Sequence, residues 1–135
     1  MNVFRQAVEA RDLNAIEDLL AEDVEFLSPA VFKPYQGKAV TLAILANVIE
    51  VFENFRYINE IGDPASNDHA LVFQAEVNGK TLTGCDFLHF NSEGKIDSFM
   101  VMVRPLNGAQ ELANEMGARF DKIVEQATAY MAKGN

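Results

Sequence analysis

Residues 69–90 read HALVFQAEVNGKTLTGCDFLHF, two runs of alternating apolar and polar residues joined by Asn78-Gly79. A two-residue hairpin loop puts its central residues at positive φ, which Asn and Gly tolerate, so this dipeptide is a strong hairpin signal. The loop also sets the register. Val77 faces Lys80, Ala75 faces Leu82, Phe73 faces Gly84 and Leu71 faces Asp86. Directly opposed residues point to the same side of a sheet. Asp86 therefore shares an apolar face with Leu71, Phe73, Ala75, Leu82, Leu88 and Phe90. The opposite face carries Gln74, Glu76, Thr81 and Thr83, then Val72, Cys85 and Phe87. The apolar face is the predicted core face, and Asp86 is its one ionisable residue between Leu82 and Phe90.

On either side of the hairpin the period of two continues. Phe55 to Ile61 is a predicted strand, followed by a turn over 63–68 with Pro64. Asn91-Ser92-Glu93-Gly94 turns the chain into a last strand, Lys95 to Arg104, which Pro105 ends. The first half has helical spacing instead. Val3, Phe4, Ala7 and Val8 share one face, and Asp12 reads as the N-cap of a short helix carrying Leu13, Ile16, Leu19 and Leu20. Val24 to Ser28 is a short strand. Pro29 to Gly37 is a loop bearing Phe32 and Tyr35, and a helix follows from Lys38 to Glu53. Its apolar residues cover more than a narrow stripe, which predicts burial. Gly108 to Met131 is a further helix with a stripe of Leu112, Met116, Phe120, Ile123, Ala127 and Tyr130, with a kink expected at Gly117. Helices followed by a run of strands imply an α+β fold: a curved antiparallel sheet wrapped around the N-terminal helices, plus a C-terminal helix. A bent sheet with helices along one face leaves a cone-shaped cavity, the default ligand site.

The chain has 135 residues, and its composition is that of an ordinary globular domain, so one domain over 1–135 is expected. Eleven Lys and Arg against 20 Asp and Glu give a net charge of −9. Such a surface repels phosphate backbones and anionic lipid, so neither nucleic acid nor a membrane is an expected partner. Cys85 is the single cysteine, which excludes an intrachain disulfide. The first residues lack the basic-then-apolar layout of a signal peptide, so a reducing cytoplasm is the expected compartment. With only His69 and His89 beside that cysteine, no zinc spacing occurs. No phosphate loop or dinucleotide fingerprint is present either, and no metal or cofactor is expected.

A carboxylate on an apolar face has two readings. It is either a structural group bonded to a local donor, or a carboxyl of raised pKa lining a pocket as acid, base or hydrogen-bond donor. Gly84 beside it is expected to leave room for a ligand. The predicted lining comprises Phe4, Phe26, Phe32, Tyr35, Phe52, Phe73, Leu88, Phe99 and Val101, with Phe32 and Tyr35 able to close the mouth. Tyr57 reaches a ligand or water. His89 falls on the opposite face, His69 opens a strand in solvent, and Arg104 meets an acidic surface neighbour. Cys85 has no cation near it in sequence to activate it.

Three segments, FRQAVEARDLNAIEDLLAEDVEF (4–26), YQGKAV (35–40) and GKTLTGCDFLHFNSEGKIDSF (79–99), occur in an order and spacing that resemble the SnoaL-like and ketosteroid-isomerase-like branch of the nuclear transport factor 2 superfamily. The resemblance implies a conical, cystatin-like α+β barrel with a hydrophobic pocket, often dimeric through the outer face of the sheet. It aligns Asp86 with the carboxylic acid that donates a hydrogen bond to the oxyanion in the isomerases. It aligns Phe4 with their tyrosine donor and Ser28, before Pro29, with their aspartate base. Neither replacement performs that chemistry, so ordinary steroid isomerisation is not implied. The expected function is a pocket for a small hydrophobic carbonyl compound, with isomerase, cyclase or dehydratase chemistry at Asp86. The alternative is a non-catalytic binding or assembly module. A second polar group within reach of Asp86 favours the enzyme, and a collapsed pocket the module. Val72, Cys85, Phe87, Met100 and Met102 form an apolar outer patch that predicts a homodimer, unless the C-terminal helix covers it.

Overall fold

Leu71 opposite Asp86, Phe73 opposite Gly84 and Val77 opposite Lys80 are the register pairs of the central hairpin in the computed structural model, which describes residues 2–133. The elements in order are α1 (Val3–Glu9), α2 (Leu13–Leu19), β1 (Leu20–Leu27), β2 (Tyr35–Gln36), α3 (Lys38–Val51), β3 (Glu53–Ile61), β4 (Asp68–Val77), β5 (Lys80–Phe90), β6 (Ile96–Arg104), α4 (Leu106–Ala118) and α5 (Phe120–Lys133). The six strands form one curved, unclosed sheet in the order β2-β1-β6-β5-β4-β3. The fold is α+β, as its sequence pattern predicts.

Local chemistry accounts for the boundaries. Asn2 caps α1 through its side-chain oxygen, which accepts from the backbone N–H of Phe4 at 2.8 Å. Asp12 caps α2, accepting from Ala15 N–H at 3.1 Å. Asn78 and Gly79 hold φ of 50° and 80°, the left-handed values that the tight turn demands. Within α3, Thr41 and Asn47 are buried polar residues. Thr41 donates to the Gly37 carbonyl at 2.8 Å. Asn47 donates to the Ala43 carbonyl and to Gln126 of α5 at 2.7 Å, and it accepts from Arg119. The partnered amide ties α3 to α5 without leaving a polar atom orphaned.

Three features depart from the sequence reading. β1 starts at Leu20, directly at the end of α2, and it runs parallel to β6. Alternation along a strand carries no information on its direction, so the sheet is mixed rather than wholly antiparallel. The predicted loop over 29–37 contains β2, which pairs Tyr35 with Phe26. The C-terminal segment is two helices broken at Arg119 rather than one kinked at Gly117. The break lets α4 bury Gly108 and Leu112 near the sheet while α5 packs on α3 through Ile123 and Ala127.

α4 approaches the inner face of β5. A Cβ on Gly108 would stand 2.9 Å from Leu82 Cβ, so glycine is what admits the helix there. The C-terminal helices therefore do not cover the outer face. The core is built on the inner face, where Phe4, Ile16, Leu71, Phe73, Leu82, Ile96 and Phe99 are almost fully buried. No described helix is long and apolar enough to cross a membrane.

Gly84 is packed against the Phe73 ring across the strand pair, and a Cβ at residue 84 would overlap the ring. Gly84→Ala is expected to destabilise the fold by about 1–3 kcal/mol through overpacking. Gly117→Ala, helical with open space around it, is expected to stabilise by up to about 1 kcal/mol. Urea unfolding midpoints check both; an unchanged midpoint for Gly84→Ala would show that Phe73 can move aside freely.

Candidate functional site

The curvature of the sheet leaves a cavity of about 800 Å³ between its concave face and helices α3 and α4. Its wall is aromatic and aliphatic: Phe26, Phe99 and Val101 from the sheet, Ile44 and Val48 from α3, Leu112 and Met116 from α4. Exposed residues among the lining mark the rim, including Glu9, Arg11, Val31 and Phe120. The volume lies in the range of small-molecule sites.

Asp86 lies on this wall. Its neighbours across the ladder are Leu71 of β4 and Val101 of β6, and only 7% of it is exposed. The Tyr57 phenol, from β3, stands within hydrogen-bonding reach of its carboxyl. Tyr57 is oriented by an aromatic cluster. Its ring meets Phe55 edge-on at 4.9 Å and Phe73 at 6.5 Å, and Phe55 and Phe52 pack on Phe73 at 5.1 and 5.4 Å. The Arg5 guanidinium covers the Tyr57 ring at 5.6 Å from its centroid.

Burial governs the electrostatics. Desolvation pushes the Asp86 carboxyl up to about 7, against a smaller downward pull from the Tyr57 hydrogen bond. Burial, followed by the Asp86 charge, pushes the Tyr57 phenol far above its ordinary value, so it stays protonated beside the carboxyl. Once Asp86 takes up a proton, its own O–H becomes a donor on the cavity wall. The group can thus give or hold a proton near neutral pH.

The structure brings most of the predicted lining together. Phe4, Phe26, Tyr35, Phe52, Phe73, Phe99, Val101 and Asp86 all line the cavity. Two do not. Phe32 is fully exposed at 102% and outside the lining, because its loop turns the ring outward rather than over the mouth. Leu88 is buried in the core, one step past Asp86 on the same face, beyond the cavity. The room expected over Gly84 is taken by the Phe73 ring and is not ligand space. Ser28 lines the cavity and accepts from Ala30 N–H at 3.0 Å. Phe4 packs edge-on against Phe99 at 5.2 Å.

The remaining candidates sit elsewhere. His89 meets Asp97 at 2.6 Å, and this bond raises its pKa. The His69 ring nitrogen contacts the Ser66 carbonyl at 2.9 Å, and half-burial beside Phe90 replaces the solvated position expected. Arg104 is exposed outside the cavity and makes no ion pair among the described residues. Burial pushes the Cys85 thiol up, away from nucleophile chemistry. Tyr57 is the functional neighbour that sequence reasoning left unassigned. β3 pairs with β4 through two register shifts, so no turn-based register could align Tyr57 with Phe73.

Comparison with known proteins agrees with this geometry. The family model of the SnoaL-like domain matches residues 2–99. A steroid delta-isomerase from Pseudomonas aeruginosa is 37% identical, with 90% of this chain and 89% of that one covered and a TM-score of 0.83. A protein with a cystatin-like fold from Silicibacter pomeroyi is 34% identical over 92% of this chain and 91% of that one, with a TM-score of 0.81. A cystatin-like protein from Xanthomonas campestris shares the fold at 19% identity, covering 82% and 92%, with a TM-score of 0.64. No curated protein matches the chain.

Carboxyl-carbon NMR is expected to show Asp86 titrating near 7, and Tyr57→Phe is expected to move the midpoint higher by removing a donor to the ionised form. A normal or depressed value would mean a solvated or ion-paired group. The unfolded chain releases this proton near pH 4 and the folded one near 7, so this group's contribution to stability is full below pH 4 and falls as pH rises to 7. Asp86→Asn removes that loss. Its stability relative to wild type is expected to rise across this window, by up to about 4 kcal/mol, measured by urea unfolding at a series of pH values.

Proposed function

Because the chain belongs to the SnoaL-like family of the nuclear transport factor 2 superfamily, we propose that its cavity binds a small apolar carbonyl compound and that Asp86, in its neutral form, donates a hydrogen bond to the carbonyl oxygen. The observation that carries this reading is the buried Asp86–Tyr57 pair on the wall of an otherwise apolar cavity. Tyr57 holds the carboxyl in place while the carboxyl O–H faces the ligand. Negative charge developing on the oxygen is met by a donor in a water-poor site, where it is worth more than in solution. With a pKa near neutrality, Asp86 also passes a proton, which suits isomerisation, cyclisation or dehydration.

A non-catalytic carrier is the second reading, and one observation favours it. Ser28, half-buried and bonded to its own loop, stands where the isomerase resemblance puts a base. The half-buried, free Cys85 fits a reducing compartment, taken here as the cytoplasm.

The same reading includes a homodimer through the outer face of the sheet. Phe87 is 37% and Met102 54% exposed there, with Val72, Cys85 and Met100 half-buried beside them, and none of the described helices covers Phe87 or Met102. Such a patch is better placed against a second copy than in water. Sedimentation equilibrium at micromolar concentration is expected to give a dimer, and Met102→Glu a monomer; a wild-type monomer would refute it.

Naphthol, a planar mimic of an enol, probes the site. Asp86→Leu is expected to weaken its binding about tenfold or more through loss of the hydrogen bond. Equal affinity would remove Asp86 from the site. The enzyme is distinguished from the carrier by hydrogen–deuterium exchange next to the carbonyl of a bound naphthyl ketone. Acceleration by the wild-type protein, lost in Asp86→Leu, is the expected outcome, and no acceleration would leave the carrier.

A further inference from the structure

We propose that the ligand of this cavity is an anionic amphiphile, an apolar carbonyl compound that also carries a carboxylate, and that Arg11 at the rim binds that carboxylate. The inference rests on the pocket reading above and names its substrate class. Arg11 lines the cavity and is exposed. It makes no ion pair or side-chain hydrogen bond among the described residues. Two other arginines near the cavity are engaged. Arg5 is paired with Glu9 at 3.4 Å and Glu60 at 3.5 Å. Arg56 donates to the Asn54 carbonyl at 3.0 Å and to Gln74 at 2.9 Å. Glu9, a carboxylate on the rim, shares Arg5 with Glu60, and Arg11 forms an ion pair with neither among the described residues.

The backbone at Arg11 adds a second observation. It follows the C-cap of α1 with φ of 53°, held by bonds from Arg11 N–H to the Val8 carbonyl and from Asp12 N–H to the Ala7 carbonyl, both 3.0 Å. This left-handed position after a helix is the ordinary place for Gly or Asn. Arginine there accepts backbone strain and presents its side chain from a fixed corner at the cavity mouth.

The polar groups of the site are therefore divided. A hydrogen-bonding pair, Asp86 and Tyr57, stands on the wall, a free guanidinium stands at the rim, and aromatic and aliphatic surface lies around them. A ligand complementary to all three has a carbonyl, an apolar body and an anionic end. One planar guanidinium suits one carboxylate, which it meets in a bidentate fork. A phosphate monoester would bring a second negative charge to a chain of net charge −9.

The test compares a naphthyl ketone bearing a hexanoate tail, ω-naphthoylhexanoate, with its methyl ester by calorimetry on the full chain. Wild type is expected to bind the acid about three- to tenfold more tightly than the ester at low salt, with the preference shrinking as salt is raised. Arg11→Gln is expected to bring acid and ester to parity with both still bound, which also reports an intact cavity. Arg11→Lys is expected to keep the preference in part. Equal binding of acid and ester by wild type, or a preference that survives Arg11→Gln, overturns the role of Arg11 and leaves the pocket reading standing. Failure of both compounds to bind wild type overturns the pocket reading, and this inference with it.

Discussion

A carboxyl group buried on the apolar face of a sheet is the constraint on which the functional reading of this chain depends. Desolvating an ionised carboxylate is costly enough that the group changes its protonation instead, and Asp86 does so, at about 7. The side-chain group that bears on its protonation, among the described residues, is a phenol rather than a cation. A lysine or arginine in that place would have held the carboxylate ionised and made the pair structural. A phenol favours the charged form only weakly, so the proton stays available near neutrality.

The packing around the pair explains why it has a fixed geometry. Gly84 has no side chain, so the Phe73 ring lies flat across the strand pair. Phe52 and Phe55 stack on each other and pack tilted against that ring, and Tyr57 is set edge-on against Phe55. Aromatic contacts of this kind have preferred angles, so the cluster fixes the direction of the phenol as well as excluding water. Arg5 closes the far side of the Tyr57 ring and is itself held by Glu9 and Glu60. The first helix thus contributes to the site through a cation outside the cavity, while the tyrosine comes from a strand on the other side of the chain.

The helices decide that the curved sheet holds a cavity rather than a filled core. α3 lies along the concave face, α4 approaches at Gly108, and the break at Arg119 sends α5 away to pack on α3. With both C-terminal helices on the concave side, the outer face keeps Phe87 and Met102 in contact with solvent. At the rim Arg11 is exposed with no ion pair among the described residues, although the chain as a whole is strongly acidic. The functional proposals use three distinct surfaces of the chain: the inner wall of the sheet, the rim beside α1 and the outer face of the sheet.

The turn at Asn78-Gly79 carried the largest share of what the sequence by itself determined. A two-residue loop admits one register, and that register placed Asp86 beside Leu71 on the core face and Cys85 on the other, as the structure has them. Caps at Asp12, periodicity in α3 and the alternating strands determined the α+β class, because these are local properties of short segments. Tertiary structure alone decided the rest. The parallel pairing of β1 with β6 depends on strand direction, which alternation does not encode. The alignment of Tyr57 with Phe73, near Asp86, depends on the register shift between Tyr57 and Asn59, which no turn residue announces. Phe32 and Tyr35 belong to the same loop, yet pairing with Phe26 turned only Tyr35 toward the cavity. Arg11 lines the cavity without an ion pair among the described residues because of where the fold places the charges of other segments. Those choices are made by contacts between segments far apart in the chain, and no stretch of sequence contains both sides of them.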